Sequence, residues 1–305
     1  MNRFAITCSL LACLLFGCGA GSGDKRHLAF DGGLAFNRIE DQVAFGPRVP
    51  GQPGHTACEN YLLKEFSASA DSVWAERWEH PTVSGDTLRL ANICASFNPA
   101  ANARILLCAH WDSRPVAEHD PDPALRNIPI QGANDGGSGV AVLLELARVF
   151  GRSRPSAGVD IALFDGEDYG DFQTMNDVLL GSRHFAEVHK GYNPRLGILL
   201  DMVGGTNAAF PLEGNSWASF PDQCNLVWDT AAGLGYGHYF PRQAGAWVID
   251  DHIPLIKSGI RCIDIIQMGL PYWHTTQDTP DKCSPATLEA VGRTLAAVVY
   301  GFSTR

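Results

Sequence analysis

Three nearly unbroken apolar runs constrain this chain most: RILLCAH (104–110), VDIALFD (159–165) and RLGILLDMV (195–203). A strand with one wet face alternates polar and apolar residues, whereas a strand covered on both faces need not. These runs therefore read as central strands of a sheet with a layer on each side. Helix-period segments separate them, SGVAVLLELARVF (138–150) and a second near 180–189. Upstream, HTACENYLLKEFSAS (55–69) has amphipathic spacing, and VWAERWEH (73–80) and TLRLANICASF (87–97) alternate as the strands of a half-exposed hairpin. A helix near 222–234, a strand at 260–267 and a closing helix from about 285 to 302 complete the pattern. Strands alternating with helices predict an α/β fold: a single domain whose central twisted, mostly parallel but mixed β-sheet is flanked by helices. With 305 residues, 45% of them hydrophobic, the chain is long enough for one large core, and no repeat divides it.

The first residues read differently. Arg3 precedes the short apolar stretch FAITCSLLACLLF, followed by Gly17 and Cys18. These are the proportions of a secretory signal, residues 1–17, and no run reaches the ~18 apolar residues that span a bilayer. LFGC ending at Cys18 resembles a bacterial lipobox, so the expectation is an exported lipoprotein anchored at Cys18 in the periplasm or cell envelope, with plain secretion as the alternative. The glycine-rich GAGSGDKRH that follows reads as a flexible tether, giving a tether over 18–35 and a domain over 36–305. The net charge of −10 argues against nucleic acid as a partner and leaves the lipid as the expected link to a membrane. Six cysteines follow Cys18: Cys58, Cys94, Cys108, Cys224, Cys262 and Cys283. An even number in an exported chain permits disulfides, although Cys108 and Cys262 lie in apolar runs and read equally well as buried hydrophobes.

In sheets of this kind, function collects beyond the C-terminal ends of the strands. The first run delivers His110 and Asp112 there, the second Glu167 and Asp168, and the third Asp201. The glycine-rich loop GANDGGSG before the 138–150 helix adds Asp135, and PYWHTTQDTP after the last strand adds His274. Singly, each has an ordinary role as turn, cap or packing residue. Together they place imidazole and carboxylates on one edge without thiolates, a donor set suited to zinc with an open coordination position. The crowding of Asp165, Glu167 and Asp168 within four positions also calls for a nearby cation. Nothing matches a Gly-x-Ser-x-Gly elbow in its strand–helix frame, a Walker loop or His-Glu-x-x-His. The acidic, proline-rich stretch 118–130 reads as a surface loop over one side of the cleft, with His119 exposed.

HWDSRP, GANDGGSGVAVLLELAR, DGEDYG, GILLDMVGG, DDHIP and YWHTTQDTPDK, in that order, resemble the animal-type glutaminyl-peptide cyclotransferases, which are similar in fold and metal site to the zinc aminopeptidases. The resemblance runs from about FGPRVPG (45–51) to the C-terminus. It implies a zinc aminopeptidase-like fold, metal ligands at Asp135, Asp168 and His274, an acid/base at Glu167, a supporting acid at Asp250 and an aromatic pocket wall at Trp273. His110 and Asp201 fall where dinuclear aminopeptidases hold a second zinc. The implied activity is conversion of the N-terminal glutamine of peptides or proteins to pyroglutamate with release of ammonia, using one zinc ion. The alternative is a two-zinc aminopeptidase. Four positions depart from the animal pattern. Asp168 replaces a glutamate, Ala109 replaces a cysteine found in some members, and Phe172 and Gln173 occupy the region of a pocket tryptophan.

Overall fold

The apolar runs lie side by side at the centre of a six-stranded sheet in a computed structural model that describes residues 25–302. The signal segment and Cys18 lie outside those residues. The chain enters through a 3-10 turn, Arg26–Ala29, and α1 (Gly32–Val43), then α2 (Pro53–Ser67). The hairpin strands β1 (Ser72–Pro81) and β2 (Thr87–Phe97) pair antiparallel, and β1 is half exposed along its length. Next come β3 (Arg104–His110), α3 (Gly137–Arg152), β4 (Gly158–Phe164), α4 (Leu180–Val188) and β5 (Leu196–Asp201). The remaining elements are α5 (Gly214–Ser219), α6 (Pro221–Gly233), α7 (His252–Lys257), β6 (Ile263–Ile266), a second 3-10 turn (Pro280–Lys282) and α8 (Pro285–Gly301).

The strand order is β1-β2-β4-β3-β5-β6, with β4, β3, β5 and β6 parallel and β2 antiparallel to both of its neighbours, β1 and β4. Every residue of β5 is buried, as are six of seven in each of β3 and β4, which is why their sequences do not alternate. One face carries α1, α3, α6 and α8 over the larger core; the other carries α4 and α7 over a core built around Phe164, Phe185, Leu199 and Leu255. Gly139 lets α3 lie against the strands. A β-carbon there would sit 2.4 Å from the Leu200 carbonyl oxygen and 2.9 Å from the Ala109 side chain.

The ordered fold begins earlier than residue 36. Asp31 caps α1, accepting the N–H groups of Gly33 (2.8 Å) and Leu34 (3.1 Å), while its own N–H donates to Glu145 of α3 (3.1 Å). The composition of this stretch suggests a tether because α1 starts at a Gly-Gly pair and buries few large apolar residues. All six cysteines are buried free thiols, so no disulfide forms among the described residues.

Candidate metal and active site

His110 ends β3 and Asp201 ends β5. From β3 the chain moves to one side to make β4, then to the other side to make β5. The crevice between the ends of β3 and β5 is the point where a doubly wound sheet leaves room for a ligand.

Asp135 enters from the loop before α3. That loop turns at Gly136 (φ +75°), where a β-carbon would stand 2.7 Å from the Asp112 carbonyl oxygen and 2.9 Å from the His110 ring. Buried Asp278 accepts the N–H groups of Asn134 (2.9 Å) and Asp135 (3.0 Å). Arg48, also fully buried, donates to the carbonyls of Trp111, Gln131 and Gly132 and pins the loop from beneath. Asp112 does the same for the acidic turn after β4, accepting from the backbone of Glu167 (3.1 Å) and Asp168 (3.2 Å). A carboxylate read as part of the strand-end set thus acts as a brace.

Two buried triads result, and Asp135 belongs to both. In the first, His274 Nε2 lies 3.4 Å from Asp168 Oδ1 and 3.7 Å from Asp135 Oδ2. Ligands about 2.0 Å from a tetrahedral zinc stand about 3.3 Å apart, so this spacing fits an ion. Asp168 Oδ2 is buried with no hydrogen-bond partner, an orphaned acceptor that a cation would satisfy. The flanking contacts fit as well. His274 Nδ1 is 2.9 Å from Glu118 Oε1, leaving Nε2 toward the triad, and Arg114 bonds both Glu118 (2.6 Å) and Asp168 (2.9 Å). Glu118 comes from the loop expected to cover the cleft; His119 beside it is exposed and stacks on His274.

In the second triad, His110 Nε2 lies 3.1 Å from Asp135 Oδ1 and 3.2 Å from Asp201 Oδ1. These are hydrogen-bond distances. Burial alone would lower the His110 pKa, but hydrogen bonds to Asp112, Asp135 and Asp201 outweigh it and raise the value well above the ordinary one.

Asp135, Asp168, Asp201 and His274 line a cavity of about 280 Å³ together with Glu167, Asp250 and Trp273, and His110 stands behind it against Asp135 and Asp201. All the expected site residues therefore come to one place. Glu167 is 7% exposed, and its carboxyl is pushed well up, first by burial and then by Asp168, Asp250 and Asp251, with His110 pulling the other way. Phe172 stands in the wall from the region where the animal tryptophan has no counterpart, joined by Trp247, Ile249 and Met268.

Asp165 does not face this cavity. It pairs with His55 of α2 (2.9 Å), a buried ion pair behind the β4 turn, so the crowded acids are met by His55, Arg114 and the triad separately. Sequence reasoning also missed the buried set beneath Asp250. There His252 Nε2 lies 3.3 Å from Glu213 and its Nδ1 3.8 Å from Asp264, whose carboxylate has no hydrogen-bond partner and stands close enough to Asp250 and His252 to share an ion. The signal was an aspartate inside the apolar run CIDII.

The pattern of peptidase family M28 matches residues 92–299. The chain belongs to that family. Among solved M28-like structures, it is 40% identical to a glutaminyl cyclase from Tannerella forsythia (TM-score 0.86), over 90% of this chain and 99% of that one. It is 41% identical to a structure described as a Zn-dependent exopeptidase from Parabacteroides distasonis (TM-score 0.86), with the same coverage. A curated relative, the glutaminyl-peptide cyclotransferase of Bos taurus, is 26% identical over 289 residues, covering 84% of this M28 chain and 78% of the relative.

Proposed function

We infer that this M28 protein is a zinc-dependent glutaminyl-peptide cyclotransferase acting on peptides or proteins with an N-terminal glutamine. The observation that carries the reading is the Asp135, Asp168 and His274 triad, spaced for an ion, holding an orphaned acceptor at Asp168 Oδ2 and opening on one cavity with Glu167, Asp250 and Trp273. One zinc there suits a cyclisation that needs no metal-bound nucleophile; a peptidase of the two-metal type would use the His110, Asp135 and Asp201 triad as well. Likeness to cyclases in solved structures and in curated relatives supports the same side.

Zinc held by Asp135, Asp168 and His274 would polarise the γ-carbonyl of the glutamine and favour negative charge on its oxygen. The chain's own groups do the rest. Glu167 takes a proton from the α-amine as that nitrogen bonds to the γ-carbon, then returns it to the amide nitrogen, which leaves as ammonia. Its raised pKa suits a group that must both accept and donate. Asp250, on the same cavity with one buried oxygen unpartnered, holds the leaving nitrogen or Glu167 by a hydrogen bond. Trp273 packs the side chain into the folded form from which a five-membered ring closes.

A pair of substrates tests this. With a Gln-initiated peptide the protein should release ammonia and form a lactam; with a Leu-initiated peptide it should release no leucine. Leucine release without lactam overturns the cyclase reading in favour of the aminopeptidase. Glu167→Gln should lower turnover by about a hundredfold to ten-thousandfold, the range of general acid–base catalysis. The segment FAITCSLLACLLFGC supports an exported lipoprotein anchored at Cys18; labelled palmitate should be incorporated in a bacterial host and lost in Cys18→Ala.

A further inference from the structure

Beneath the catalytic cavity the fold buries the carboxylates of Asp250, Asp251, Asp264 and Glu213 against the single imidazole of His252. Each of these residues is at most 3% exposed, and among the described residues no arginine or lysine forms an ion pair with any of the acids. Charges this deep are costly when unpaired, so the cluster calls for protons or for a cation. Asp264 is fully buried with neither oxygen in a hydrogen bond, and Asp250 Oδ2 and His252 Nδ1 are likewise unpartnered. One donor atom from each of these three residues lies within 4.8 Å of the other two. His252 Nδ1 and Asp264 Oδ2 stand 3.8 Å apart, too far to share a proton, yet a spacing open to two ligands each about 2.0–2.2 Å from one ion. Glu213 faces the other ring nitrogen at 3.3 Å, which turns Nδ1 toward Asp264. Glu118 stands in the same relation to His274 in the catalytic triad.

We propose that Asp250, His252 and Asp264 form a further divalent-cation site, separate from the catalytic triad, whose occupation inhibits the enzyme. An imidazole with two carboxylates is a donor set that suits zinc. His252 and Asp264 have no exposed surface, whereas Asp250 lines the catalytic cavity, so the ion enters past Asp250. Asp250 Oδ1 accepts the N–H of Asp251, which leaves Oδ2 to serve either the ion or the leaving nitrogen. An ion held there takes Asp250 out of the reaction. The inhibition, unlike the binding, rests on the cyclase reading.

Equilibrium dialysis against rising zinc, with the metal counted per chain, tests the site. The wild-type chain and His110→Gln should each take up a second ion, and Asp264→Asn should keep only the first. An anomalous difference map from a wild-type crystal soaked in zinc should place that ion between Asp250, His252 and Asp264, a readout that needs no variant. Turnover of a Gln-initiated peptide should fall about ten- to hundredfold as the second ion binds, the worth of one hydrogen bond to a charged group, and Asp264→Asn should escape that loss. A single ion at saturation, or a second one that Asp264→Asn keeps or His110→Gln loses, overturns the site. Uptake of the second ion with turnover unchanged overturns the inhibition. A chain that binds this ion as expected but forms no lactam at any zinc level upholds the site and overturns the cyclase reading.

Discussion

At the scale of single residues, the site depends as much on side chains that touch no substrate as on those that do. His274 can offer Nε2 to an ion because Glu118 occupies Nδ1, and Glu118 is itself held by Arg114, which also grips Asp168. Burial raises the Glu118 carboxyl, but the hydrogen bond to His274 and the nearby Arg114 guanidinium bring it down to about 2. Outer partners of this kind are worth roughly ten- to hundredfold in metal affinity. Glu118→Gln should weaken zinc binding by that factor in a chelator competition, with the folded spectrum unchanged. Wild-type affinity in that variant would remove Glu118 from the metal's support. The sequence made the residues of the two triads readable because each stands at the end of a strand or in a marked turn. It did not make Glu118, Glu213 or Asp264 readable, because an acid in a loop or a strand looks alike whether solvated or buried against a histidine.

At the scale of elements, the sheet was readable because a strand covered on both faces needs a continuous apolar run, and β3, β4 and β5 supply one each. The elements that were missed, α1, α5 and α7, are short or weakly apolar and take their stability from what they dock against. α1 shows this most plainly. Its helical start depends on the Asp31 side chain, and Asp31→Ala should cost about 1 kcal/mol, seen as a lower unfolding midpoint in urea. The contact between α3 and the sheet is less forgiving. Gly139→Val would drive a side chain into the Leu200 carbonyl, and overpacking of this sort costs about 1–3 kcal/mol. A thermal midpoint equal to wild type would mean that α3 can move off the strands.

At the scale of the molecule, one buried carboxylate ties several parts together. Glu213 accepts from the backbone of Asn215 and Ser216 at the start of α5 and from Val248 on the pocket wall, and it faces His252 of α7. Burial pushes this group up, but the histidine and the backbone donors outweigh it and bring it to about 2, against an ordinary 4.5. A carboxyl whose folded value is depressed adds stability that is complete above its unfolded value and is lost as pH falls toward the folded one. Urea midpoints should therefore fall as pH drops from about 4.5 toward about 2, and Glu213→Gln should flatten part of that slope. An unchanged slope would place the acid sensitivity elsewhere.

The point where the chain enters the fold has a practical consequence. Arg26 rests on the ring of Tyr300 at 4.1 Å, and the Tyr300 hydroxyl donates to the Ser153 carbonyl (2.6 Å) just past the end of α3. α3 starts beside Asp135 and runs 16 residues, about 24 Å, away from it. Anything joined ahead of residue 25, whether an acyl chain, a bead or a carrier protein, is attached at the rear of the catalyst. The mouth then points outward, so enzyme coupled to a solid support by that end should keep the turnover it has when free.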